Sequence, residues 1–350
     1  EYNGFKLGVG KTTMYGPEIQ ELRRIIEKGD FPEGHAITET TDVIGRYVDH
    51  VKGHLKMGPR RLRVIVDAGN GVGGEVARRL YTALGVDFTG MYLEPDGTFP
   101  NHHPDPTVEE NVAELRAKTT AERADLGIAF DGDADRIGVV DEQGNILWGD
   151  QLMIVYSRAV LQEEPGSAIV GEVKCSQTMY DDIARHGGKP VMWKAGHSLI
   201  KAKMKETNAS LAGEMSGHIF FRNRWFGFDD GIYAGARLLE ILSNETRPLS
   251  ALLADVPKTW SSPEIRRDAG TEERKFALVK AATEHFRSQG YEVIDVDGVR
   301  VVFPDGWGLV RASNTQPILV LRYEAQTPER LEEIRQLIEG TLTRLEKQVA

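Results

Sequence analysis

Three carboxylates stand at alternate positions in Asp131-Gly132-Asp133-Ala134-Asp135-Arg136, between the apolar runs Leu126–Phe130 and Ile137–Val140. Such charges repel one another unless a cation sits among them. In a straight strand alternate residues lie roughly 6.5–7 Å apart, too far to share one small ion. The loop must therefore curl, and Gly132 and Ala134 are small enough to allow it. Asp131, Asp133 and Asp135 are the candidate metal ligands. They follow a strand directly, where ligands collect in open α/β sheets. Oxygen-only donors suit Mg2+, and Arg136 offers a fixed cation to a neighbouring anion. The spacing to Glu142 also matches a calcium EF-hand loop, but the sixth position is Arg136 where glycine is needed. The flanks read as strands, not helices. A solvated acidic turn is the remaining alternative.

Around this loop the chain alternates short apolar strands with helices. Residues 42–148 predict strands at Leu62–Val66, Phe88–Leu93, Leu126–Phe130 and Ile137–Val140, with helices at Gly74–Leu84 and near Val108–Lys118. Residues 149–257 repeat the alternation without a clean sequence repeat. They predict a helix after Asp150, then strand Ala168–Val173, helix Gln177–His186, strand Pro190–Trp193 and helix Ser198–Glu206. Both segments read as Rossmann-like mixed α/β domains with a mostly parallel sheet. Residues 258–350 predict a meander of Val299–Phe303, Trp307–Ala312 and Ile318–Glu324 closed by helix Pro328–Leu345, an α+β domain. Residues 1–41 hold one strand, Phe5–Val9, and one helix from Pro17 to Gly29, too little for a core. They read as the end of a preceding α/β domain.

Composition narrows the partners. A net charge of −10, from 43 basic and 53 acidic residues, argues against a nucleic-acid binder. No run approaches the apolar length of a membrane span, so no membrane partner is expected. The single Cys175 excludes a disulfide framework or a multi-cysteine zinc site and suits a reducing, cytoplasmic setting. An acidic protein that binds an anion must concentrate its cations in a few loops.

Four further constellations stand out, two of them carrying such cations. Gly69, Gly71 and Gly74 form a G-x-G-x-x-G turn after a strand, with Glu94 ending the next strand. That is the context of a dinucleotide site and makes an NAD-dependent oxidoreductase the rival reading; a lone fingerprint is weak, and a tight strand-to-helix turn needs glycines anyway, so the structural turn is favoured. In Gly213-Glu214-Met215-Ser216-Gly217-His218, Glu214 and Ser216 can grip vicinal hydroxyls. Lys194, Gly196 and His197 open a helix, where free amides face anions, and Lys174 ends the preceding strand. Arg311-Ala312-Ser313-Asn314-Thr315 joins two apolar strands and offers a compact phosphate clamp.

In this order, and with Tyr2-Asn3-Gly4-Phe5-Lys6 and Pro95 to Pro106 (Pro-Asp-Gly-Thr-Phe-Pro-Asn-His-His-Pro-Asp-Pro), these loops resemble the α-D-phosphohexomutases, phosphomannomutase/phosphoglucomutase branch, over nearly the whole chain. Met215 matches that branch; the glucosamine branch usually has Gln there. Ala195 departs from the usual Thr. The resemblance implies four domains around one cleft, of which the three segments here are the second to fourth. It implies Mg2+ on the Asp131 loop, sugar contacts from Glu214, Ser216 and His218, and a phosphate held by Arg311, Ser313, Asn314 and Thr315. It also implies that the glycine turn binds no dinucleotide. The implied reaction moves phosphate reversibly between O1 and O6 of mannose or glucose phosphates, through a hexose 1,6-bisphosphate and a phosphoserine. Lys6, Arg136 and His218 are the candidate catalytic residues. The phosphoserine loop of the family would fall just upstream of Glu1. The expectation is therefore that this chain alone does not turn over, binds magnesium weakly, and has the segment upstream as a partner. A non-catalytic sugar-phosphate-binding fragment is the further alternative.

Overall fold

The computed structural model describes residues 41–314 and 316–349, together with 24 and 27–29. The strand expected at Phe5–Val9, Lys6, most of the helix from Pro17, and Thr315 lie outside the described residues.

The first sheet has the order β2-β1-β3-β4-β5: Asp87–Met91, Arg63–Asp67, Leu126–Phe130, Ile137–Asp141 and Ile146–Leu147. The first three strands run parallel and the last two join by antiparallel pairing. Strand β4 alone is reversed, so four of the five strands point the same way, as expected of a mostly parallel sheet. Helices α1 (Val43–His54), α2 (Gly73–Ala83) and α3 (Ala113–Ala121) accompany it. Strand β2 stops at Met91, short of Glu94, because Tyr92 turns the chain at φ 49°.

The second sheet has the order β7-β6-β8-β9: Lys189–Trp193, Ala168–Glu172, Leu211–Gly213 and Ile219–Phe221. Its β7, β6 and β8 are parallel, and β9 is antiparallel to β8. The order matches β2-β1-β3-β4 strand for strand, so the repeat absent from the sequence is present in the topology. Helices α4 (Gly149–Glu163), α5 (Gln177–Arg185), α6 (His197–Thr207) and α7 (Gly231–Ser243) complete it. Twelve of the thirteen α7 residues are buried. This helix lies against α2, β3, β4 and β9, so one continuous core runs through both α/β layers.

The third sheet is antiparallel, β10-β15-β14-β13-β12, with β11 also pairing β15. Its strands are Trp260–Ser261, Ile265–Asp268, Glu292–Ile294, Val299–Phe303, Gly306–Ala312 and Ile318–Ala325 for β10 to β15. Helices α8 (Glu272–Ser288) and α9 (Pro328–Leu345) bury Phe286, Ile334, Ile338 and Leu342 against it in a second core. The α9 start follows ordinary capping: the Thr327 hydroxyl accepts from the Arg330 amide, with Pro328 in the first turn. Among the described residues no helix is long and apolar enough to cross a membrane.

Candidate active site

The matched topology places the chemistry. The hairpin between β3 and β4 carries Asp131–Arg136, and the hairpin between β8 and β9 carries Glu214–His218. The two loops occupy equivalent positions in the two sheets and meet: Arg136 and His218 form an antiparallel bridge. The Ile137 amide donates to the Gly217 carbonyl at 3.1 Å. Gly217 sits at φ 94°, and a Cβ there would lie 2.4 Å from the Ile137 oxygen. Only glycine allows this approach.

The Asp131 loop curls as its charges require. Ala134 adopts φ 61°, and its amide donates to the Asp131 carbonyl at 3.2 Å. Asp131, Asp133 and Asp135 each bring an oxygen within 4.8 Å of the others. An octahedral magnesium with ligands near 2.1 Å needs oxygens about 3 Å apart in cis and about 4.2 Å in trans, so the donor set and spacing fit a hard divalent cation. Burial, opposed by His218 and reinforced by the charges of Asp131 and Asp133, pushes Asp135 up to about 6. A bound cation would relieve that strain. Arg136 stays beside the loop: Nε donates to Asp131 Oδ2 at 2.7 Å and Nη1 to Asp105 Oδ1 at 3.0 Å.

The glycine turn serves this loop. A Cβ on Gly71 would lie 2.7 Å from the Gly132 oxygen, and one on Gly74 2.1 Å from the Leu93 oxygen. The amides of Asn70, Gly71 and Val72 donate to the carbonyls of Tyr92, Ala68 and Gly132. A pyrophosphate needs such amides free, so the turn is a packing device and the dinucleotide reading loses its donors.

Glu214 is buried and central. Its Oε1 accepts from the Gly196 amide at 2.6 Å, and its Oε2 lies 3.2 Å from His218 Nδ1. Burial works against the ionised carboxyl, but these two contacts outweigh it and hold the Glu214 pKa below its ordinary value. His218 Nε2 lies 3.3 Å from Asp135, and Ser216 Oγ is 3.0 Å from Nδ1. Burial lowers the pKa of His218, yet the carboxylates of Glu214, Asp135 and Asp229 outweigh it and raise the pKa. This imidazole thus links the carboxylate loop to the Glu214 loop.

Gly196 opens α6 at φ 126°. Because Gly196 is the residue that caps the helix, Ala195 does not act as the N-cap. The half-exposed His197 lies 3.4 Å from Asp229 and stacks on His218 at 5.7 Å; Lys194 is exposed. Lys174 follows β6 in a mostly buried position. Its Nζ lies 3.3 Å from Glu264 and 3.7 Å from Glu172, and the Glu172 charge raises its pKa. It shares a cavity of about 600 Å³ with Arg136, Ser216 and Arg322.

Arg311 ends in a buried guanidinium. Its Nε donates to Asp297 Oδ2 at 2.9 Å, while Nη2 is enclosed without a hydrogen-bond partner among the described residues. An orphaned guanidinium nitrogen is what an anion clamp lacking its anion would show. Beside it, Lys275 Nζ from α8 donates to the carbonyls of Ser313 and Gln316 at 2.7 and 2.9 Å. Asn314 Nδ2 reaches the Ala195 carbonyl at 3.5 Å, and Asp297 accepts from the Ala195 amide at 3.1 Å.

The structure therefore brings together the Asp131, Gly196, Glu214 and Arg311 loops, with Lys174 beside them. It adds residues that the sequence reading passed over: Asp105, Asp229, Lys275 and Asp297. Asp229 stands in Gly-Phe-Asp-Asp-Gly and Asp297 in Asp-Gly-Val-Arg. These acidic turns carry no periodic signal, though an Asp-Gly beside an apolar strand marks a tight turn.

Known proteins resemble this chain over nearly its whole length. Models of three parts of one family match successive segments. The phosphoglucomutase/phosphomannomutase alpha/beta/alpha domain II matches residues 45–144, domain III matches 148–260, and the C-terminal domain matches 265–340. A phosphomannomutase/phosphoglucomutase of Pseudomonas aeruginosa is 49% identical over 342 residues, 98% of this chain and 73% of the relative. A phosphoglucomutase of Neisseria gonorrhoeae is 48% identical over 339 residues, covering 95% and 73%. A crystal structure of a phosphoglucomutase/phosphomannomutase family protein from Burkholderia thailandensis superposes with a TM-score of 0.83 at 44% identity, over 95% of this chain and 71% of that one. Fold, loop order and relatives agree, and the chain belongs to the phosphoglucomutase/phosphomannomutase family of phosphohexomutases.

Proposed function

We propose that this site binds hexose phosphates of the mannose and glucose series beside a magnesium ion and serves transfer of phosphate between O1 and O6 through a hexose 1,6-bisphosphate. The observation that carries this reading is the bridge from Arg136 to His218. It sets a divalent-metal loop against a loop able to grip hydroxyls, and Asp297 ties the Arg311 clamp to the neighbouring Ala195 loop.

Each group has a role that its surroundings support. Asp131, Asp133 and Asp135 would hold Mg2+, which supplies charge neutralisation at a phosphoryl group. Arg136, fixed by two carboxylates, keeps a cation beside that loop. Glu214 still has lone pairs beyond its contacts with Gly196 and His218, so Glu214 and Ser216 can hold the 3- and 4-hydroxyls. Such contacts ignore the configuration at C2. His218 would stand close to the sugar hydroxyls and is the described candidate for proton transfer. Arg311, Ser313 and Asn314, with Lys174, Lys194 and His197 nearby, take the phosphate that is not reacting. Binding it at a distance aligns the reacting end.

A mutase must accept its sugar in two orientations at one site. The test is competition calorimetry with glucose 1-phosphate and glucose 6-phosphate in the presence of Mg2+. One should displace the other completely, and Arg311→Met should weaken both. Two independent sites, or no dependence on Arg311, would overturn the reading.

A further inference from the structure

Arg300, on β13 of the third sheet, is fully buried. Its Nη1 donates to the carbonyls of Val173 and Cys175 at 2.6 and 2.9 Å, and its Nη2 to Gln177 Oε1 at 3.2 Å. The guanidinium stacks on Trp307, 3.8 Å from the ring centroid. Its hydrogen bonds therefore go to neutral oxygens, and burial pushes its pKa down. A buried charge held this way is costly. Well-packed apolar residues often serve stability as well as buried ions do, or better. Stability alone therefore does not explain an arginine here.

The carbonyls it takes flank Lys174 on both sides. The Lys174 amide itself donates to Glu172 Oε2 at 2.7 Å, so the backbone of this one residue is held by Arg300 across the seam and by Glu172 from within. The turn leading into β13 also governs the clamp. Asp297 accepts from Arg311 and from Ala195. Gly298, at φ 84°, packs so closely that a Cβ would lie 2.7 Å from the Arg311 Cα. Three residues of the stretch 297–300 (Asp297, Gly298 and Arg300) thus reach the Arg311, Ala195 and Lys174 loops.

The geometry points to Arg300 as a positioning residue that fixes Lys174 in register with the Arg311 clamp. It acts through Lys174, without touching substrate itself. This rests on the proposed hexose-phosphate reading, under which both cations face the phosphate end of the substrate.

A double-mutant cycle separates positioning from mere support. Glucose 1-phosphate affinity is measured by calorimetry for the unmodified chain, Lys174→Ala, Arg300→Met and the double variant, with melting temperatures alongside. Methionine keeps a contact to the Trp307 ring. Arg300→Met should weaken binding about tenfold, and this loss should nearly vanish in the Lys174→Ala background. Arg300→Lys, a point charge without the fork, should recover part of the affinity; it also carries the cycle if Arg300→Met does not fold. An equal loss in both backgrounds would overturn the inference, as would unchanged affinity in both Arg300 variants. If the unmodified chain binds no glucose 1-phosphate, the functional reading fails as well. If it binds and Lys174→Ala weakens it while the Arg300 variants do not, only the positioning role fails.

Discussion

Arg136 and His218 lie 82 residues apart in sequence and face each other across a backbone bridge. Each begins the segment that returns from its hairpin loop. Asp135 and Glu214 then converge on the same imidazole from opposite sides, at 3.3 and 3.2 Å. Under the proposed reading, the sugar site and the metal site would be coupled through one histidine.

The bridge depends on Gly217. Its φ of 94° and the 2.4 Å approach that a Cβ would make to the Ile137 oxygen leave no room for a side chain. Gly217→Ala should lower stability by roughly 1–3 kcal/mol and weaken glucose 1-phosphate binding with it. Thermal unfolding and calorimetry on the same preparation check this; wild-type values for both would show that the loops do not need so close a contact.

Asp133 is the most exposed of the three carboxylates, so Asp133→Asn should disturb the fold least. Supporting residues around metal ligands commonly contribute tenfold or more to affinity. The variant should bind Mn2+, used as a spectroscopic probe, at least about tenfold more weakly. Equal affinity would remove Asp133 from the ligand set.

His102 Nε2 lies 3.1 Å from the buried Asp67, and that hydrogen bond raises the His102 pKa above 6.5. A histidine raised on folding stabilises fully below its unfolded pKa and loses that contribution as pH rises through its folded value. The melting temperature of the unmodified chain should exceed that of His102→Ala more at pH 6 than at pH 8.5. A difference independent of pH would show that His102 acts only by packing.

The sequence made some of this architecture legible and hid the rest for physical reasons. Helix α9 could be read to the residue, since Pro328, its cap and its apolar stripe all act locally. The curl of the Asp131 loop was also legible, because like charges at alternate positions admit few conformations. Helix α7 was not, because a mostly apolar run does not by itself distinguish a buried helix from a strand. Nor was the pairing of Asp135 with His218, or of Asp297 with Arg311, since each depends on two elements meeting in space. The glycine turn was ambiguous until its amides were seen bonded to Tyr92, Ala68 and Gly132.

The central claim is that Glu214 and Ser216 read the 3- and 4-hydroxyls of a hexose phosphate held at this site. Calorimetric titration with mannose, glucose and galactose 1-phosphates in the presence of Mg2+ tests it most directly. A site built to hydrogen-bond a hydroxyl rejects its misplacement far more strongly than a purely apolar pocket could. The account predicts similar affinities for mannose and glucose, which differ at C2, and at least about tenfold weaker binding of galactose, which differs at C4. Equal binding of all three, or preference for galactose, would contradict it.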